Sequence, residues 1–148
     1  PDDYRQCLRE VGLTYRTWAI AHSQDYALIF GTPIPDYVAP ETITNPPAKR
    51  SMRAIISLLI AAAQDGKLDP APAYTNPPVA LQTQLLAWAA QYDFPASIPA
   101  LYLALAGWSR FHGLVQLEIF NHLRHVVDDA AVLYRAEVLA FIEQAGIV

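Results

Sequence analysis

From Tyr4 to His22 the large residues Tyr4, Leu8, Val11, Tyr15, Trp18 and His22 recur at steps of four and three, the spacing that puts side chains on one helix face. Asp2 or Asp3 stands where an N-cap belongs. A short second helix is expected from Gln24 to Phe30, with Tyr26 and Phe30 one turn apart and Gly31 as its stop. Met52, Ile55, Ile56, Leu59, Ile60 and Ala63 restore helical spacing over Ala48 to Gln64, and Gly66 ends it. Asn76-Pro77-Pro78 reads as a cap followed by first-turn prolines, and Leu81, Leu85, Trp88 and Tyr92 form the stripe beyond it. Ser97 is placed to cap a long helix from about Ile98 to Leu123, and Asp128 to cap a last one from Asp129 to about Ala145. No β-branched alternation bounded by hairpin turns competes with these signals. The pattern predicts an all-α fold, a helical bundle of about six helices in one domain spanning residues 1–148.

Two stretches depart from the simple amphipathic pattern. Gly31 to Pro47 holds five of the twelve prolines and reads as a stiff loop, more mobile than the helices around it. Loops of this length serve as lids or contact surfaces, or simply as solvated connectors. In the last helix, Ala130, Tyr134, Val138, Phe141 and Ala145 fall on one face, while Val132, Ala136 and Leu139 fall nearly opposite. The long helix before it is apolar nearly all round, through residues that include Leu114 and Leu117. Two final helices with apolar surface to spare predict a homodimer whose interface is a four-helix arrangement built from Leu114, Leu117, Val132, Ala136 and Leu139. Burial of both faces inside one subunit is the alternative.

Composition sharpens this picture. The chain is 53% hydrophobic and 16% charged, against about a quarter charged in ordinary domains. Its surface is therefore expected to meet an apolar ligand or a partner. A net charge of −4, with no basic run, argues against these residues gripping a phosphate backbone. One cysteine, Cys7, rules out an internal disulfide, suits a reducing cytoplasm and is expected to pack in the core. The longest apolar stretch, Phe94 to Trp108, is interrupted by Pro95, Ser97 and Pro99, short of the roughly 20 residues a membrane span needs. The opening Pro-Asp-Asp-Tyr has neither an initiator Met nor a signal-peptide pattern and reads as the start of a fragment, a processed product or the ordered part of something longer.

Trp108-Ser109-Arg110-Phe111-His112-Gly113, continuing as LVQLEIF, resembles the Trp-His-Gly signature of one subgroup of TetR-like regulators, in their C-terminal domain. Tyr15 to Pro40, YRTWAIAHSQDYALIFGTPIPDYVAP, is similar to the first part of that domain. The resemblance implies effector binding in the core, dimerisation through the last two helices, and DNA binding by an N-terminal helix-turn-helix domain absent from this chain. Repression, with a cytoplasmic location and no enzymatic activity, belongs to the same implication.

The signature also has a reading of its own. Trp108 and His112 lie one turn apart, and Gly107 and Gly113 should each admit a neighbouring backbone closely. The cluster is either an architectural pin or a ligand contact. Candidate ligand-binding residues are the aromatics of the inward stripes, Trp18, Tyr26, Phe30, Trp88, Tyr92, Tyr102, Trp108 and Phe111, with His112 and Gln116 as polar orienters of a small apolar or aromatic molecule. Glu118, His122 and His125 would share a face if the helix persisted to His125, which suits a metal and gives a competing reading as a free-standing helical metal protein or enzyme. No phosphate loop, nucleophile elbow or CxxC is present, so no cofactor and no catalytic residue is assigned. Lys49, Arg50 and Arg53 form a small basic patch read as a solvated face.

Overall fold

The computed structural model describes residues 3–31 and 41–148, with side chains for 3–31, 50 and 52–148. The described residues form seven helices: α1 Tyr4–Ala21, α2 Ser23–Phe30, α3 Glu41–Gln64, α4 Pro72–Thr75, α5 Val79–Tyr92, α6 Ile98–Ile119 and α7 Ala130–Gln144. The fold is all-α, as the periodicity predicts. Among the described residues one isolated antiparallel bridge, Leu68 to Ile147, ties the segment after α3 to the end of the chain.

The helix ends follow local chemistry, with several departures from expectation. Asp3 caps α1, its carboxylate accepting the Gln6 N–H at 2.8 Å. The cap of α7 is Asp129 rather than Asp128, its carboxylate accepting the Ala131 N–H at 2.8 Å. Ser97 occupies the N-cap position of α6 without a side-chain cap bond. Pro77 and Pro78 precede α5 instead of opening it, and Asn76 ends α4. The stretch expected as loop up to Pro47 is helical from Glu41 onward. Pro46 and Pro47 are the sixth and seventh residues of α3, past the first turn in which a proline costs no hydrogen bond. The rest of that stretch, 32–40, and with it the mobility expected there, lies outside the described residues.

Helix α6 is the axis of the bundle, packing against α1, α3, α4, α5 and α7. Leu101, Leu103 and Val115 of α6 are fully buried, together with Ile56 and Leu59 of α3. From α7, Tyr134, Val138, Phe141 and Ile142 join them, each at most 2% exposed. Burying side chains of this size stabilises the fold by about 1.5–3 kcal/mol each before ordering costs.

In α1 the buried residues are Tyr4, Leu8, Gly12 and Ala19, with Tyr15 half-buried, while Val11, Trp18 and His22 from the expected stripe face outward. The helix is turned so that its small residues meet its neighbours. A Cβ on Gly12 would stand 3.1 Å from Val138, and the Tyr134 hydroxyl donates to the Gly12 carbonyl at 2.8 Å. Large residues read from sequence as the inner face would have held α1 and α7 apart. Cys7, expected in the core, is only half-buried.

Candidate functional site

Three helices place three polar atoms together beneath an aromatic surround. From α1, the Tyr15 hydroxyl lies 2.9 Å from His112 Nδ1. From α2, the Tyr26 hydroxyl lies 3.1 Å from the same nitrogen and 3.4 Å from the His112 carbonyl. Where a hydroxyl donates to Nδ1 the ring proton of His112 sits on Nε2, and in the other tautomer Nδ1–H donates to a hydroxyl oxygen. Trp108, one turn earlier on α6, stacks on the imidazole with centroids 5.0 Å apart and planes 18° from parallel. Phe30 meets the same ring edge-on at 4.8 Å, and Tyr26 at 5.6 Å. Tyr26 is fully buried, whereas Trp108 is 40% exposed, so the cluster runs from the interior to the surface.

Burial decides the protonation of this node. Desolvation holds the His112 imidazole below its ordinary range. The phenols of Tyr15 and Tyr26 are pushed up, in both cases chiefly by burial, and for Tyr15 next by the neighbouring Tyr26. All three groups are therefore neutral near pH 7. Nearby, the Arg16 side chain makes two hydrogen bonds to the Glu118 carboxylate, at 2.8 and 2.5 Å, and lies 5.8 Å from the centre of the Tyr134 ring. That ion pair ties α1 to the last turn of α6, and the bond to Glu118 raises the Arg16 guanidinium further above its already high range.

Of the ten candidate ligand residues, four come together here: Tyr26, Phe30, Trp108 and His112. The others sit elsewhere. Phe111 is buried against Tyr134 and Phe141. Trp88 and Tyr92 pack on Phe94, and Tyr102 on Tyr74. Trp18 is 38% exposed and stacks on His22, and Gln116 is half-buried. The described surface carries open grooves. One, about 380 Å³, lies between Arg5, Arg9 and Leu139; another, about 250 Å³, lies between Glu118, Arg124 and Asp128. Neither is lined by the aromatic candidates.

The candidate dimer residues lie mainly on the outside. Val132 is 56% exposed, Leu139 46% and Leu117 41%, with Ala136 exposed as well and Leu114 half-buried. The two glycines of the signature region behave differently. A Cβ on Gly107 would meet the Phe141 ring at 2.8 Å, so this glycine admits a side chain of α7 and not the neighbouring backbone expected. A Cβ on Gly113 meets nothing within 4 Å among the described residues, so no neighbouring backbone of the subunit is admitted there.

Residues 8–141 match the family described as tetracyclin repressor-like, C-terminal domain. The chain belongs to that family. It is also similar to a crystal structure of SCO4313, described as a candidate regulatory protein, with 28% identity and a TM-score of 0.68 over 95% of this chain and 68% of that one. A search of curated proteins found no match.

Membership in a repressor-like family leaves the competing metal reading to be judged on geometry. Helix α6 ends at Ile119, and Asn121 adopts a left-handed φ of 63°, so Glu118, His122 and His125 do not share a helix face. Glu118 is already engaged by Arg16. Among the described residues no group of three potential ligands could hold a metal ion, and no helix is long and apolar enough to cross a membrane. The residue that sequence reasoning left out of the site is Tyr15. Its signal was available, because it lies on the same helix face as the buried Leu8 and Gly12 and carries a polar tip that a core position obliges to find a partner.

Proposed function

We propose that this chain is the effector-sensing and dimerisation domain of a TetR-like transcription regulator of the Trp-His-Gly subgroup. In this reading a small apolar or aromatic molecule is held at Tyr26, Phe30, Trp108 and His112, and DNA is contacted by a helix-turn-helix module outside these residues. The observation that carries it is the node of Tyr15, Tyr26 and His112, which places hydrogen-bonding groups inside an aromatic surround where three helices meet. Apolar walls with a few convergent polar groups are the usual makeup of small-molecule sites. A ligand seated there would favour one arrangement of α1, α2 and α6 over another, and only such a differential preference can move DNA-binding heads.

The second subunit would cover the outer faces of α6 and α7. Support comes from Leu117, Val132 and Leu139, each between 41 and 56% exposed, and from Gly113, open on α6. A helical glycine costs about 1 kcal/mol relative to alanine, and no described residue of the subunit gives Gly113 a contact in return. Size-exclusion chromatography with light scattering tests the dimer: twice the chain mass at micromolar concentration is expected, and a monomer refutes it. A thermal-shift screen of apolar aromatic compounds tests the sensor, since a ligand at 100 times its Kd stabilises by about 2.7 kcal/mol.

A further inference from the structure

We infer that residues 144–148 form a strap that joins the entry of α1, the end of α3 and the end of α7 into one unit, through which a change at the outward face of α7 reaches the start of α1. The use of that link, toward a DNA-binding module joined at the start of α1, rests on the reading proposed above. The strap is held by its backbone. The Asp69 N–H donates to the Gly146 carbonyl at 2.9 Å, the Ala71 N–H to the Gln144 carbonyl at 3.2 Å and the Val148 N–H to the Lys67 carbonyl at 3.2 Å. Ile147, bridged to Leu68, is 1% exposed, so a buried side chain pins the strap as well. Gly146 makes this docking possible. Its φ of 64° lies in the left-handed region, and a Cβ there would overlap the Asp69 carbonyl oxygen. Many residues could end α7 at this point, but glycine lets the backbone that follows lie directly against 67–71.

Helix α1 joins the same knot. The Arg5 guanidinium donates to the Ile147 carbonyl at 2.7 Å, across 142 positions of sequence, and the Tyr4 hydroxyl donates to the Asp65 carboxylate at 2.6 Å. The Lys67 ammonium lies 5.5 Å from the centre of the Tyr4 ring. Further along, α1 and α7 touch directly at Gly12 and Val138, but at this end an open groove lies between Arg5, Arg9 and Leu139. The connection between the two helices at this end therefore runs through the strap. Leu139 lines both that groove and the outward face of α7, and the strap begins about a turn and a half beyond it. Three backbone bonds and one buried side chain form a unit small enough to release without opening the core around α6.

Amide hydrogen exchange of the purified chain, read residue by residue by NMR, tests the link in both directions, because coupling between two sites is reciprocal. In Gly146→Ala the amides of Asp69, Ala71 and Val148 should exchange at least about tenfold faster, since a side chain in the left-handed region costs enough to give such a factor. The amides of Cys7 and Leu8 in α1 should quicken with them, while those of Leu103 and Val115 in α6 keep their rates. In Arg5→Met, which keeps the stem and removes the donor, the amides of Asp69 and Val148 should quicken in return. If Gly146→Ala does not fold, Arg5→Met alone decides. Loosening confined to the strap in Gly146→Ala, or unchanged strap amides in Arg5→Met, overturns the link. So does an equal change at every amide, which would mean that the strap opens only when the whole chain unfolds. Each of these outcomes leaves ligand binding and dimerisation to their own tests, so the link can fail while the sensing reading stands.

Discussion

Gly107 and Gly113 stand six residues apart on α6, on different sides of the same helix, and they meet opposite surroundings. A Cβ at Gly107 would enter the Phe141 ring, whereas one at Gly113 would enter open space. The same division runs through α7, where Tyr134, Val138 and Phe141 are at most 2% exposed and Val132 and Leu139 are about half exposed. Apolar or small residues on both sides of one helix therefore carry different meanings. On the inner side packing within the subunit accounts for them, and on the outer side no described residue of the subunit covers them.

The comparison breaks most sharply under a buried charge. Phe141→Glu removes a ring packed against Phe111 and Gly107 and puts a carboxylate in its place, facing Arg110, whose guanidinium lies 5.8 Å from the ring centre and also meets Glu137; a loss of about 3–5 kcal/mol from the missing ring alone is expected. Leu139→Glu places the same charge on an exposed position and should leave circular dichroism and the melting temperature of the subunit nearly unchanged while converting dimers to monomers. A folded Phe141→Glu chain would reverse the assignment of faces, and a dimeric Leu139→Glu chain would remove Leu139 from the interface.

Much of this division was legible in the sequence. The opposed stripes of α7 follow from a 100° step, and the tyrosine, valine and phenylalanine stripe is the buried one. What misled was size. In α1 the large Val11 and Trp18 look like core, but closest contact between helices falls on Gly12 and Ala19, which periodicity of large residues passes over. The expected length of α6 exceeds the observed one because Phe120 and Leu123 continue the apolar spacing while the backbone turns left-handed at Asn121. At the site, Trp108 and His112 are visible as a pair one turn apart, but the tyrosines that bond His112 arrive from other helices, a tertiary fact that no local spacing encodes.

Alanine at each glycine sharpens the comparison with smaller effects of opposite sign. Gly107→Ala must push the Phe141 ring aside and should destabilise by about 1–3 kcal/mol. Gly113→Ala has room in the subunit and removes a helix penalty, so monomer stability in denaturant titration should rise by up to about 1 kcal/mol. If the partner packs closely at that position, the same change weakens dimerisation. Destabilisation of the monomer by Gly113→Ala would show that this side is not open.

The smallest effect expected is in acid, and it concerns the node where inner packing and the exposed Trp108 meet. Burial lowers the affinity of His112 for a proton in the folded state, and the groups facing its ring among the described residues are Tyr15, Tyr26, Phe30 and Trp108, none of them charged. The unfolded chain therefore binds more protons than the folded one between the depressed value and the ordinary histidine value of about 6.5. Stability contributed by the neutral ring is fully present above that ordinary value and declines as pH falls through the window below it. The readout is a difference: the denaturant midpoint of the native chain against that of His112→Gln, from pH 7 to pH 5. The native chain should lose more stability over that interval than the variant. Parallel curves would mean that His112 titrates as a solvated histidine and that the aromatic surround does not shield it.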